Sequence, residues 1–87
     1  MNTVFLLLAQ YNTVIVPLET VCRDYFSHLS PQLLWRKYNA GDIPLPIVSM
    51  DPTSAKSAKG VSVNDLATYL DKRIESAREE VKVLTGR

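Results

Sequence analysis

Apolar residues at Val4, Leu7, Leu8 and Tyr11 recur at i, i+3, i+4, i+7 spacing and predict a helix, capped by Asn2 or Thr3 and ended at Asn12, which tolerates a left-handed backbone. Phe5 and Leu6 fall off that stripe, so the helix is apolar nearly all round. Such a helix has to be covered on several sides, within the domain or by a partner. A short buried strand is the competing reading of the same residues. Val14, Ile15 and Val16 are consecutive β-branched residues ending at Pro17 and predict a short extended segment. Pro17 can also open a helix, because its missing N–H would have no partner in a first turn. Leu18, Val21, Cys22 and Tyr25 then form one apolar stripe, with Glu19, Arg23 and Asp24 off it.

After a connection at residues 26–29, Ser30-Pro31 places a capping hydroxyl before a proline at the first helical position. Leu34 and Tyr38, i and i+4, face inward, and Gly41 closes this helix. Two short helices joined by a brief turn outline a helix-turn-helix. Pro44 and Pro46 confine residues 43–50 to a strand edge or turn before Ile47 and Val48. Residues 51–60 form a loop of Pro, Ser, Lys and Gly, and Val61-Ser62-Val63 alternates as a returning partner strand. The expected product is a β-hairpin with a basic tip, a wing. Asn64, or alternatively Ser62 with Asp65 three residues on, caps the last helix. Leu66, Leu70, Ile74, Ala77, Val81 and Leu84 then recur at intervals of 3 and 4, a coiled-coil-like seam. Residues 64–84 would span ~30 Å, more than so small a core needs, so the part from Ile74 onward is expected against another subunit. The fold class expected is mainly α with a small β-hairpin wing, a winged helix-turn-helix. Residues 1–87 are expected to be a single domain, because a chain this short encloses one core.

The apolar fraction of 46% and charged fraction of 22% are those of an ordinary folded chain, which excludes disorder. Ten basic against nine acidic residues leave a net charge of +1, which does not announce a nucleic-acid binder. Location is more informative: between Ser30 and Gly60, Arg36, Lys37, Lys56 and Lys59 face only Asp42 and Asp51. That third of the chain is the place for a polyanion. Cys22 has no second cysteine to pair with, which favours a reducing compartment. The longest apolar run, residues 4–9, is far short of the ~20 residues that span a bilayer, so a cytoplasmic protein with no membrane partner is expected. His28 is the lone histidine and no ligand set of metal spacing surrounds it or Cys22. No Ser, His and acid constellation or phosphate-cradling glycine loop is present, so neither an enzyme nor a cofactor is expected.

With Leu34 and Tyr38 turned inward, Gln32, Trp35, Arg36 and Asn39 share the outer face of the second helix at i, i+3, i+4, i+7. Arg and Gln carry the forked donors and acceptors that fit guanine and adenine edges in a major groove. The plain alternative is a solvated face. Trp35 either packs beside Leu34 or stacks on a sugar-phosphate or thymine methyl. Lys37 suits a flanking phosphate. Lys56, Ser57 and Lys59, on a flexible loop tip, suit phosphate or minor-groove contacts, where charge counts for more than geometry. Double-stranded DNA is the expected partner. Few phosphate contacts per copy mean weak monomer binding, so a homodimer or cooperative oligomer on DNA is also expected.

The stretch Ser30-Pro-Gln-Leu-Leu-Trp-Arg-Lys-Tyr-Asn-Ala-Gly-Asp-Ile-Pro-Leu-Pro-Ile47 resembles the recognition-helix segment of excisionase and prophage-regulator winged helix-turn-helix proteins, and Gly60-Val-Ser-Val-Asn-Asp-Leu-Ala-Thr-Tyr-Leu70 their strand-to-helix return. Arg36 falls on an arginine position of that pattern. The connection Tyr25-Phe-Ser-His-Leu29 departs from it, being longer and lacking a glycine before the capping serine. Phe5-Leu-Leu-Leu-Ala-Gln-Tyr11, Pro17-Leu-Glu-Thr-Val-Cys-Arg-Asp-Tyr-Phe26 and Asp65-Leu-Ala-Thr-Tyr-Leu-Asp71 resemble the pyocin activator protein family over roughly residues 2–73. That resemblance implies a small bacterial transcriptional activator, bound upstream of phage-tail-like bacteriocin genes in circuits released by DNA damage. As an activator it would also meet RNA polymerase. Two rivals remain: an excisionase-like architectural protein that bends DNA, and a protein-binding adaptor or anti-repressor.

Overall fold

A computed structural model describes residues 2–86 in the order α1 (Thr3–Tyr11), β1 (Ile15–Pro17), α2 (Leu18–Tyr25), α3 (Pro31–Asn39), β2 (Val48–Ser49), β3 (Lys59–Ser62) and α4 (Val63–Thr85). The strands form one antiparallel sheet with β3 in the middle, in the order β1-β3-β2. β3 thus returns beside β2 as a hairpin wing and also bonds the extended segment before α2. The topology is that of a winged helix-turn-helix-like fold, mainly helical with a small sheet.

Residues 3–11 are helical, so the strand alternative is excluded. Asn2 caps α1 by accepting from the Val4 N–H at 2.8 Å, and Asn12 ends it with φ 52°, whose N–H donates to the Leu8 carbonyl. Leu7 is buried and Val4, Leu8 and Tyr11 are partly buried, which is the stripe read from spacing. The remainder of the helix is not covered: Phe5 is 68% exposed and Leu6 51%. Of the two expected ways of covering the helix, the domain itself supplies cover for one face only. Two side-chain bonds hold α1 in place. Thr3 Oγ1 donates to Asp71 of α4 at 2.8 Å, and the Tyr11 hydroxyl to Asp24 of α2 at 2.6 Å.

α2 starts behind Pro17 with no side-chain cap, and buries Leu18, Val21 and Cys22. Cys22 Sγ lies 3.0 Å from the Leu29 carbonyl and 3.5 Å from that of Phe26, within the connection to α3. Burial pushes its thiol pKa up, so it acts as a small apolar residue with a weak donor. α3 is opened by Ser30, whose hydroxyl accepts from the Leu33 N–H at 3.2 Å. It is closed at Gly41, φ 81°, where the Gly41 N–H donates to Tyr38 and the Asp42 N–H to Lys37, the paired bonds of a Schellman motif. An L-residue with a Cβ would be strained there.

The sheet revises the boundaries read from sequence. β2 is only two residues long, Lys59 and Gly60 belong to β3 and not to the loop, and Val63 begins α4 instead of continuing the strand. Gly60 has a packing reason to be in a central strand. A Cβ there would meet the Val16 carbonyl oxygen at 2.8 Å and Ile15 Cγ2 at 2.6 Å. Ser62, and not Asn64, caps α4: its hydroxyl accepts from the Asp65 N–H at 3.1 Å and donates to the Asp65 carboxylate at 2.8 Å. The core joins α2, α3, the sheet and the first turns of α4 around Leu34, Leu45, Val61 and Leu66. Past Leu70, α4 leaves that core. Ile74, Val81 and Leu84 are 47%, 56% and 69% exposed. No helix among the described residues is long and apolar enough to cross a membrane.

Candidate nucleic-acid interface

The helical period of α3 sends Leu34 into the core and leaves Gln32, Arg36, Lys37 and Asn39 exposed. Gln32 and Arg36 are one turn apart on the same face, with Asn39 a further turn along. Among the described residues, the side chains of Arg36 and Lys37 have no hydrogen-bond or ion-pair partner. Their donors are free for an outside ligand. Arg36 and Lys37 also lie in the last turn of α3, where cations are favoured by the helix dipole.

Trp35 is placed differently from its neighbours. It is partly buried, its ring stacked on Tyr38 with centroids 5.4 Å apart and an angle of 26°. It is therefore a wedge between α3 and the wing, one side of which lines a cleft of about 420 Å³. That cleft is bounded by the start of α2 at Leu18 and Glu19, the start of α3 at Pro31 and Gln32, and loop residues including Lys56. Glu19 and Tyr38 were not among the residues read as part of the site. The i,i+3 spacing of Trp35 and Tyr38 is the available signal for the second, but Tyr38 reads as core because it shares the inward face of Leu34 at i+4. Only the return of the wing brings Glu19 near Lys56.

The loop between β2 and β3 is not the flexible tip read from composition. Asp51 N–H donates to Ser57 Oγ at 2.6 Å, Met50 N–H to the Ala58 carbonyl, and Ser54 and Ser57 N–H to carbonyls three residues back. Asp51 also accepts from the Thr53 N–H at 3.0 Å and hydroxyl at 2.6 Å, and these bonds hold its carboxyl below the usual carboxylate range. The Ser57 hydroxyl is thus committed to the loop, accepting from Asp51 and lying 3.2 Å from the Ala58 carbonyl. Lys59 is committed too: its Nζ donates to the Ala55 carbonyl at 3.0 Å and the Ser57 carbonyl at 3.2 Å, and lies 4.8 Å from the Trp35 ring centroid. Of the loop residues expected at a polyanion, Lys56 is the exposed cation. Ser57 and Lys59 are bound up in building the wing.

What the arrangement offers is a short helix with exposed Gln, Arg and Asn, backed by core, beside a wing that carries one outward lysine. It defines a winged helix-turn-helix-like regulator fold. The family model described as Pyocin activator protein PrtN matches residues 3–77, which includes α1, the sheet, α2, α3 and two thirds of α4. The chain belongs to the pyocin activator protein family and is a regulator of pyocin genes. No curated protein and no solved structure matches it.

Proposed function

We propose that the chain activates pyocin genes by binding double-stranded DNA, with α3 in the major groove and the wing beside the neighbouring phosphates. The observation that carries this is the exposure of Gln32, Arg36 and Asn39 on one helix whose opposite face, at Leu34, is locked into the core. Arg36 and Gln32 read base edges, Lys37 and Lys56 contact phosphate, and RNA polymerase and DNA are met together in the cytoplasm. With these two phosphate contacts per copy, affinity falls roughly 10-fold between 50 and 200 mM salt, from counterion release alone. That is weak for one module. The exposed seam of Ile74, Ala77, Val81 and Leu84 supports pairing with a second copy, which raises occupancy through effective concentration.

The test is a mobility shift and footprint on the organism's own pyocin promoter, with a shuffled duplex as control, over that salt range. Protection of a discrete site that weakens with salt supports the reading. Equal binding to both duplexes, or none at low salt, rejects it.

A further inference from the structure

We infer that Lys59 is the residue that positions the wing on α3, and is not one of its phosphate contacts. A lysine ammonium has three donors. Two of those of Lys59 close on the carbonyls of Ala55 and Ser57, at 3.0 and 3.2 Å, and the charge lies over the Trp35 indole, 4.8 Å from its centroid. A cation within about 6 Å of an indole face is attracted by the ring quadrupole, and Trp is the strongest partner of this kind.

The other polar bonds of the loop are internal. Met50 to Ala58, Asp51 to Ser57 and Ser57 to Ser54 shape the hairpin but do not fix its pose on the helix. Lys59 does both, because its stem leaves β3, its ammonium ties the loop and its charge sits on a side chain of α3. Trp35 is in turn stacked on Tyr38 of the same helix. Reaching a phosphate would require Lys59 to leave all three partners, whereas Lys56 is already exposed. On the DNA-binding reading proposed above, on which this consequence rests, the latch sets the distance between the phosphate contact of Lys56 and the base contacts of Arg36.

The latch is measurable without DNA, because Trp35 is the one tryptophan of the chain. Lys59→Ala should raise acrylamide quenching of Trp35 about twofold and speed amide exchange at residues 55–58 several-fold. Lys59→Arg should restore both, while Lys56→Ala should change neither. Lys59→Met keeps the apolar stem, so it provides a folded variant in which exchange still accelerates through loss of the carbonyl bonds. On DNA, Lys59→Met should weaken binding yet keep the wild-type salt slope, whereas Lys56→Ala should flatten the slope by ~0.9. Wild-type quenching and exchange in both Lys59→Ala and Lys59→Met, or a slope lowered as in Lys56→Ala, would overturn the assignment. If wild-type protein binds no DNA at any salt, the DNA reading fails, and quenching and exchange still decide the latch.

Discussion

Arg36→Ala separates base reading from simple charge. Arg36 is exposed on α3 and its side chain has no intramolecular partner among the described residues, so its truncation leaves no buried group unsatisfied. Alanine is also the better helix former. The variant should therefore unfold within about 0.5 kcal/mol of the parent, as surface substitutions do. Binding should respond otherwise. A guanidinium held bidentately on a base contributes ~1–3 kcal/mol of discrimination, equivalent to about 5- to 140-fold in affinity for the specific site. On a shuffled duplex the loss is confined to one diffuse charge and should be a few-fold at most. Fluorescence anisotropy on a labelled promoter fragment and its shuffled counterpart, at one fixed salt concentration, gives both numbers. Lys56→Ala is the internal control, because a phosphate contact carries no sequence information and should weaken both duplexes alike. An Arg36→Ala variant that loses equal affinity on both duplexes would refute base reading and reduce α3 to a charged strut.

Three other outcomes follow from the packing. Truncation after Arg73 removes Ile74, Ala77, Val81 and Leu84 and should lower the subunit count, taken as light-scattering mass over chain mass; an unchanged subunit count would dismiss α4 as the pairing element. Gly60→Ala places a Cβ 2.8 Å from the Val16 carbonyl oxygen, a backbone atom that cannot swing aside, and should cost about 1–3 kcal/mol in urea unfolding. A midpoint equal to wild type would contradict the close approach of β1 and β3. The Tyr11–Asp24 bond makes stability depend on pH at both ends. The Tyr11 hydroxyl, then Arg23, holds the Asp24 carboxyl below its ordinary value, so its contribution is present above pH ~4 and lost as pH falls. Burial, then the bond to Asp24, pushes the Tyr11 phenol well above its ordinary value, so that contribution is present below pH ~10 and lost as pH rises. Thermal melts of Tyr11→Phe should lose part of both slopes, and a pH profile superimposable on wild type would discount the bond.

Local chemistry was legible wherever one residue's own backbone or capping preference was the cause. Ser30-Pro31 starts α3, Gly41 ends it in a left-handed turn, and Asn12 ends α1, because each of these conformations is favoured by the residue itself. Helical spacing likewise identified Leu7, Leu34 and Leu66 as inward. The same spacing put Trp35 on the outer face of α3 with Gln32 and Arg36. Of the two fates open to it there, packing or stacking on DNA, the structure shows packing: Trp35 lies against the core and Tyr38, and the returning wing sets an ammonium near its ring. For the same reason a loop rich in Ser, Lys and Pro looks mobile along the chain, yet closes through Asp51, Ser57 and Lys59 once β2 and β3 are paired.

Where the chain turns and which helical residues face inward could thus be read along the sequence, since those preferences act within a few positions of each residue, while the caps of α1 and α4 were narrowed to two candidates each. Which cations stay free depends instead on long-range packing. Lys56 and Lys59 are three residues apart and chemically identical, and no local rule distinguishes them. One meets solvent and the other a tryptophan twenty-four positions earlier in the chain, because pairing of β3 between β1 and β2 fixes where each side chain emerges.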